Sequence, residues 1–253
     1  MVVMYPIIGA VGQGTRLESI AERLDNNTSL ESIEIRYLQN LNSLPENLHM
    51  LSNLHHIWIC QYPHLISFPQ GGLPIIHLKS VTVEDCEKLE TFPDNVRNLT
   101  SLQTLMIINC ASFVSFPQGG LPINLETLEV ESCEKLETLP NNMHYLTSLQ
   151  ELTMKNRPGI ISFPEEGFPT NLTSLCIIKN VEICTALFNW GLHRLTSLKN
   201  LVITGRCPGV VSFPQDEIDM NLPTCLTSLT VEGFEDLKYL LTKVFKALPY
   251  LNV

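Results

Sequence analysis

The chain has 253 residues, 44% of them hydrophobic and 17% charged, and a formal net charge of −10. That apolar fraction is enough to build a large core and excludes a disordered chain, while the acidic balance, with no run of Lys and Arg against it, excludes nucleic acid and acidic membrane surfaces as expected partners. Its eight cysteines are too sparse for the disulfide framework of a small secreted domain.

The first stretch, "MVVMYPIIGAVGQG", is apolar but has no charged leader and falls short of the roughly 20 residues that cross a bilayer. Residues 1–16 read as an irregular N-terminal segment. Within it, "GAVGQGT" at Gly9 to Thr15 has the glycine spacing of a P-loop, yet Thr15 stands where the phosphate-contacting Lys belongs. No nucleotide cofactor is expected there.

From Leu17 to Val253 a single template governs the chain. "LQTLMIINCASFVSFP" at Leu102 to Pro117 and "LETLEVESCEKLETLP" at Leu125 to Pro140 align with apolar residues at relative positions 1, 4, 6, 12 and 15, Cys at 9 and Pro at 16. Copies start at Leu30, Leu54, Leu78, Leu102, Leu125, Leu149 and Leu172, with looser ones at Leu198 and Leu226, so the array has about nine repeats. The leading L-x-x-L-x-L is a period-2 pattern that predicts a short strand. Leu105 and Ile107 then face one way, and Thr104, Met106 and Ile108 the other. One repeat cannot bury its own apolar edge, but stacked repeats can, with parallel strands about 4.8 Å apart. A curved solenoid follows.

The return paths alternate with a two-repeat period. "SFPQGGLPI" at Ser67 to Ile75 recurs unchanged at Ser115 to Ile123, and related even-numbered copies read "FPEEGFP" and "FPQDEIDMNLP". The odd copies read "LPENLHMLSNL", "FPDNVRNLTSL" and "LPNNMHYLTSL". The Pro-Gly paths predict extended, turn-rich crossings, and the others a short helical or 3₁₀ turn. A phosphate cradle would need a helix N-terminus and a Lys after the glycines, and these glycines are instead enclosed by prolines.

Cys86, Cys110 and Cys133 share position 9 of successive repeats, where a small, weakly polar side chain turned inward can bond backbone groups at the bend after the strand. Neighbouring rungs also bring these thiols near disulfide distance, which leaves oxidation open at this stage. Elsewhere position 9 holds Leu38, Tyr62, Arg157, Asn180, Arg206 and Phe234; the pair Arg206-Cys207 implies a one-residue insertion that puts Cys207 in the inward role. The seven histidines show no zinc spacing, so no metal is expected, and no carboxylate pair is singled out for acid–base work. Asn26, Asn27, Asn98 and Asn171 begin N-x-S/T sequons that matter only in a secreted chain.

L-x-x-L-x-L-x-x-C followed by Leu-Pro or Phe-Pro resembles the leucine-rich-repeat family, an α/β solenoid with parallel strands on the concave face and mostly irregular or short-helical convex crossings. "ESCEKLETLPNNMHYLTSLQEL", "FPQGGLPINLETL" and "DCEKLETFPDNVRNLTSL" sharpen the resemblance to the C-terminal repeats of plant intracellular nucleotide-binding, leucine-rich-repeat disease-resistance proteins of the coiled-coil class. The resemblance implies a cytoplasmic, non-enzymatic recognition module whose partner is a pathogen effector, a guarded host protein or the nucleotide-binding domain of the receptor. The coiled-coil and nucleotide-binding domains of that family are not in this sequence, so it resembles a receptor fragment or truncated homologue. A stand-alone scaffold or decoy is the alternative.

The outward strand positions form two columns. One runs Glu34, Trp58, Thr82, Met106, Glu129, Thr153, Cys176, Val202 and Thr230; the other runs Arg36, Cys60, Glu84, Ile108, Glu131, Lys155, Ile178, Thr204 and Glu232. Trp58, Met106 and Ile108 are expected to form the apolar centre of a protein-binding surface, with Glu34, Arg36, Glu84, Glu129, Glu131 and Lys155 as its charged surround. The apolar "YLLTKVFKALPYLNV" at the C-terminus predicts an end without a polar cap, prone to self-association.

Overall fold

The structure is a computed structural model and describes residues 29–37, 43–156, 164, 166–214 and 221–240. The irregular segment assigned to 1–16, its P-loop-like glycines and the apolar C-terminal stretch beyond residue 240 lie outside the described residues.

Each repeat contributes one five-residue strand: β1 (Ser32–Arg36), β2 (His56–Cys60), β3 (Ser80–Glu84), β4 (Thr104–Ile108), β5 (Thr127–Glu131), β6 (Glu151–Lys155), β7 (Ser174–Ile178) and β8 (Asn200–Thr204). The two-residue β9 (Ser212–Phe213) precedes β10 (Ser228–Glu232), and β11 (Tyr239–Leu240) closes the described chain. Strands β1 to β8 and then β10 form one parallel nine-stranded sheet, in chain order and without a register slip. The fold is therefore a leucine-rich-repeat solenoid. The period-2 alternation is explicit, because β3, β4, β5 and β7 each bury their second and fourth residues.

The inward residues of these strands stack on the leading leucines and on the apolar positions that follow the bend. Leu102, Leu105, Ile107, Cys110 and Phe113, all from one repeat, have no solvent-accessible surface. Behind the strands the aromatic rings of successive crossings meet in series: Phe68 stacks on Phe92 at 5.1 Å, and Phe92 meets Phe113 edge-on at 5.8 Å. Positions 12 and 15 of the template thus carry the core outward from the sheet to the convex wall.

The two kinds of crossing are physically distinct. The odd paths contain 3₁₀ turns at Leu48–Met50, Asp94–Asn98, Met143–Tyr145 and Leu192–Arg194. The Pro-Gly paths instead make tight turns in which Gly72 N–H donates to Pro69 O and Gly120 N–H to Pro117 O, each at 2.8 Å. Both glycines have positive φ, and a Cβ on Gly120 would collide with the carboxamide of Asn142. Proximity of that kind is used: Asn142 accepts from Leu121 N–H at 3.0 Å and donates to Leu121 O at 2.8 Å. Asn95 makes the same reciprocal pair with Leu73. These two Pro-Gly crossings are thereby each pinned by the Asn of the crossing that follows.

The seventh repeat adds a longer helix to the short helical turn expected of an odd-numbered crossing. It forms a ten-residue helix, α1 (Val181–Trp190), which opens on Asn180, whose buried side chain accepts from Ile183 N–H at 3.0 Å, and closes at Gly191. Ile183, Cys184, Leu187 and Phe188 lie on one helical face and are buried in the common core. This helix takes the place of the Pro that otherwise occupies position 16.

The bend after each strand holds a further regular column. Tyr37, Gln61, Asp85, Asn109, Ser132, Asn156 and Lys179 all have φ between 53° and 58°, and Gly205 and Gly233 occupy the same place. Left-handed backbone is unfavourable for most side chains, least so for the Asp and Asn among these, and a hydrogen bond offsets it. In each of the first seven the N–H reaches the last strand carbonyl of the next rung, as from Asp85 N to Ile108 O at 3.0 Å and Asn109 N to Glu131 O at 2.9 Å.

The next residue turns inward, as expected for the cysteine ladder. The Cys110 thiol donates to Ile108 O at 3.4 Å and Cys133 to Glu131 O at 3.5 Å. Burial pushes the Cys133 thiol up to about 11, and Cys110, hydrogen-bonded to Cys86 and buried, also lies above the ordinary thiol range. In the eighth repeat Arg206 is exposed and Cys207 is buried, as the one-residue insertion requires.

Candidate functional site

The register of the sheet sets the outward residues into the two columns expected from the sequence. Glu34 lies beside Trp58, Trp58 beside Thr82, Thr82 beside Met106 and Met106 beside Glu129. In the second column Arg36, Cys60, Glu84, Ile108, Glu131 and Lys155 follow one another across consecutive rungs. Trp58 and Met106 are two rungs apart, roughly 10 Å at ordinary strand spacing.

Trp58 is 38% exposed despite its place at the centre of a strand. It lines a shallow concave depression of about 520 Å³ together with Glu34, Thr82, Glu84, Met106 and Ile108. The depression exists because Thr82, a short side chain, sits between the two long ones, leaving a hollow where a larger residue would fill the rung.

The charged surround is organised into pairs. Arg36 forms an ion pair with Glu34 and lays its guanidinium over the Trp58 ring at 4.0 Å from the centroid. Part of the Trp58 face is thus held by a cation, so Arg36 belongs to the centre of the surface as well as to its rim. On the far side Lys155 binds Glu129 at 2.6 Å and Glu131 at 3.7 Å. The hydrogen bond to Glu129, against a smaller burial penalty, raises the Lys155 pKa. Asn156 supplies a further bond to Glu131 at 3.1 Å.

Glu84 has a different partner. It accepts from the Cys60 thiol at 3.7 Å, and the donor atoms of Cys60, Glu84 and Asp85 lie within 4.8 Å of one another. Burial first, and then the charges of Glu84 and Asp85, push the Cys60 thiol up to about 11. The Cys60 thiol therefore keeps its proton at neutral pH and donates it to Glu84, while Asp85 accepts from Asn109 at 2.9 Å.

Two features were not singled out from sequence. Cys176 and Ile178 on β7 and Val202 on β8 form a second apolar patch on the concave face, half-buried and adjacent in register. The same columns contained them, but only the fixed register makes them neighbours. At the edge of β2, His55 stacks on His77 at 5.6 Å and lies 6.3 Å from His56. Burial, followed by the charges of His55 and Lys79, lowers the His56 pKa. Among the described residues no helix is long and apolar enough to cross a membrane.

Residues 11–111 match the family model for leucine-rich repeats described as plant disease resistance protein RPS2-like. Comparison with curated proteins gives no match. Among solved structures, the chain resembles the leucine-rich repeat domain of the type III effector XCV3220 (XopL). The TM-score is 0.51 over 85% of this chain and 81% of that one, at 20% sequence identity. At that identity the likeness shows the solenoid fold alone. The first part of the array is similar to the repeats of plant disease-resistance proteins, and the architecture as a whole is one used for protein interaction.

Proposed function

We propose that this leucine-rich-repeat domain is the non-enzymatic recognition module of a cytoplasmic plant disease-resistance receptor, and that it engages a pathogen effector or an effector-modified host protein through its concave face. The observation that carries the reading is the hollow bounded by Trp58, Met106 and Ile108. It offers an exposed aromatic and two aliphatic side chains on a rigid sheet, enclosed by charged residues, which is the anatomy of a protein interface. The RPS2-like match over residues 11–111 supports the plant-defence context.

Recognition of this kind concentrates in a few side chains. Trp58→Ala should weaken partner binding by on the order of thirtyfold, because a buried interfacial aromatic contributes about 2 kcal/mol or more. Partners captured from pathogen-challenged plant extract would be titrated against the native chain, Trp58→Ala, Met106→Ala and the convex control Gln118→Ala. Equal affinities in all four, with folding unchanged, would remove the concave hollow from the function.

A further inference from the structure

The concave face carries two apolar patches with charge between them. Met106 and Ile108 lie on β4; Cys176 and Ile178 lie on β7. Three rungs separate them, roughly 14 Å at ordinary strand spacing. The intervening strands β5 and β6 present Glu129, Glu131 and Glu151 outward against the single cation Lys155. The bridge between the patches is therefore negative even after the Lys155 ion pairs are formed.

We infer that the concave face takes an extended, cationic polypeptide segment laid across the rungs, with one apolar side chain on each patch and a Lys or Arg between them. The inference rests on the concave-binding reading above and gives it a partner chemistry. An extended chain advances about 3.3 Å per residue, so anchors at i and i+4 span the distance between the patches. Side chains at i, i+2 and i+4 share one face. The recognised pattern is thus apolar, any residue, basic, any residue, apolar, with the central cation over Glu129 and Glu131.

Lys155 has a defined part in this arrangement. It occupies the carboxylates that the incoming cation would use, with Nζ at 2.6 Å from Glu129. It acts as an internal competitor, and its removal strengthens attraction for a basic segment. A surface that is merely apolar has no such dependence.

The test uses the full chain and three labelled synthetic peptides that share two Leu anchors at i and i+4 and differ in Lys, Gln or Glu at i+2. Fluorescence anisotropy should rank them Lys, Gln, Glu, with at least about tenfold between the extremes at low salt and a smaller ratio at high salt. Lys155→Met should tighten the Lys peptide and leave the Gln peptide little changed. Met106→Glu and Ile178→Glu should each abolish binding. If the Glu or Gln peptide binds as well as the Lys peptide but Met106→Glu still abolishes binding, the cationic partner is overturned and the concave surface stands. Binding that survives both Met106→Glu and Ile178→Glu overturns the two together. Failure of every peptide to bind, while a protein partner binds in a Trp58-dependent way, overturns the extended-segment inference alone.

Discussion

The middle of the array and its last long strand were built from the same pattern and ended in different environments. Strand β4 reads TLMII and β10 reads SLTVE, each with aliphatic residues at the second and fourth places. Leu105 and Ile107 have no exposed surface, whereas Leu229 and Val231 are only partly buried and β10 shows no fully buried residue. The difference is the neighbour. β4 is flanked on both sides by strands and crossings, whereas among the described residues β10 pairs in the main sheet with β8 alone. In a stacked array the hydrophobic contribution of a leucine belongs to the interface between rungs, not to the residue.

The comparison is broken most directly by deleting the same atoms at both places. Leu105→Ala should cost roughly 2–5 kcal/mol, because its neighbours on either rung cannot close the cavity. Leu229→Ala should cost about 1 kcal/mol, since part of its side chain remains in contact with water. Urea unfolding of both variants measures the pair. Equal losses would mean that β10 is covered as fully as β4.

The next effect lies on the convex side, where the middle and the C-terminal crossings are held by different chemistry. Asn142 pins the turn before it through two hydrogen bonds to Leu121, whereas Trp190 packs against Gly167 at the corresponding place. Asn142→Ala leaves both backbone groups of Leu121 without that partner, and should cost about 1–2 kcal/mol. Hydrogen exchange at Leu121 would report the loss locally. An unchanged protection factor there would show that the carboxamide is dispensable.

The smallest effect concerns pH. His56 has its pKa lowered from 6.5, by burial first and then by His55 and Lys79. The folded state therefore binds this proton less readily than the unfolded chain. The associated stability is fully present above pH 6.5 and falls as pH drops through 6.5 toward the folded value. The urea midpoint of the native chain should decline over that window, and His56→Gln should flatten part of the decline. A midpoint that rises on acidification would reverse the sign assigned to this cluster.

Much of this was legible from periodicity. Of the repeat starts, Leu54, Leu78, Leu102, Leu125, Leu149, Leu172, Leu198 and Leu226 are fully buried, and Leu30 on the first described rung is partly buried. The alternation also put Trp58 and Met106 in one column. What periodicity does not carry is the conformation of long side chains between rungs. The placement of Arg36 over Trp58 depends on an ion pair with Glu34 in its own strand, and the Lys155 pairs depend on two carboxylates of the preceding rung. Helix α1 was missed for another reason. The repeat template drew Asn180 into position 9 and obscured its second identity as a helix cap, although the apolar spacing of Ile183, Leu187 and Phe188 follows a helical face.

The Asn-to-turn pairing on the convex wall also has a meaning for how such a gene changes length. Asn95 serves the turn containing Gly72, and Asn142 serves the one containing Gly120. Removing one repeat would set two like crossings side by side and strand a Pro-Gly turn or an Asn without its partner. Removing or copying a doublet would bring like ends together and preserve every pairing. Recombination between the identical "SFPQGGLPI" stretches yields that outcome, since it excises or duplicates one complete doublet. The unit of change in this part of the array is thus the pair of repeats, and unequal crossing-over can lengthen the concave sheet two rungs at a time.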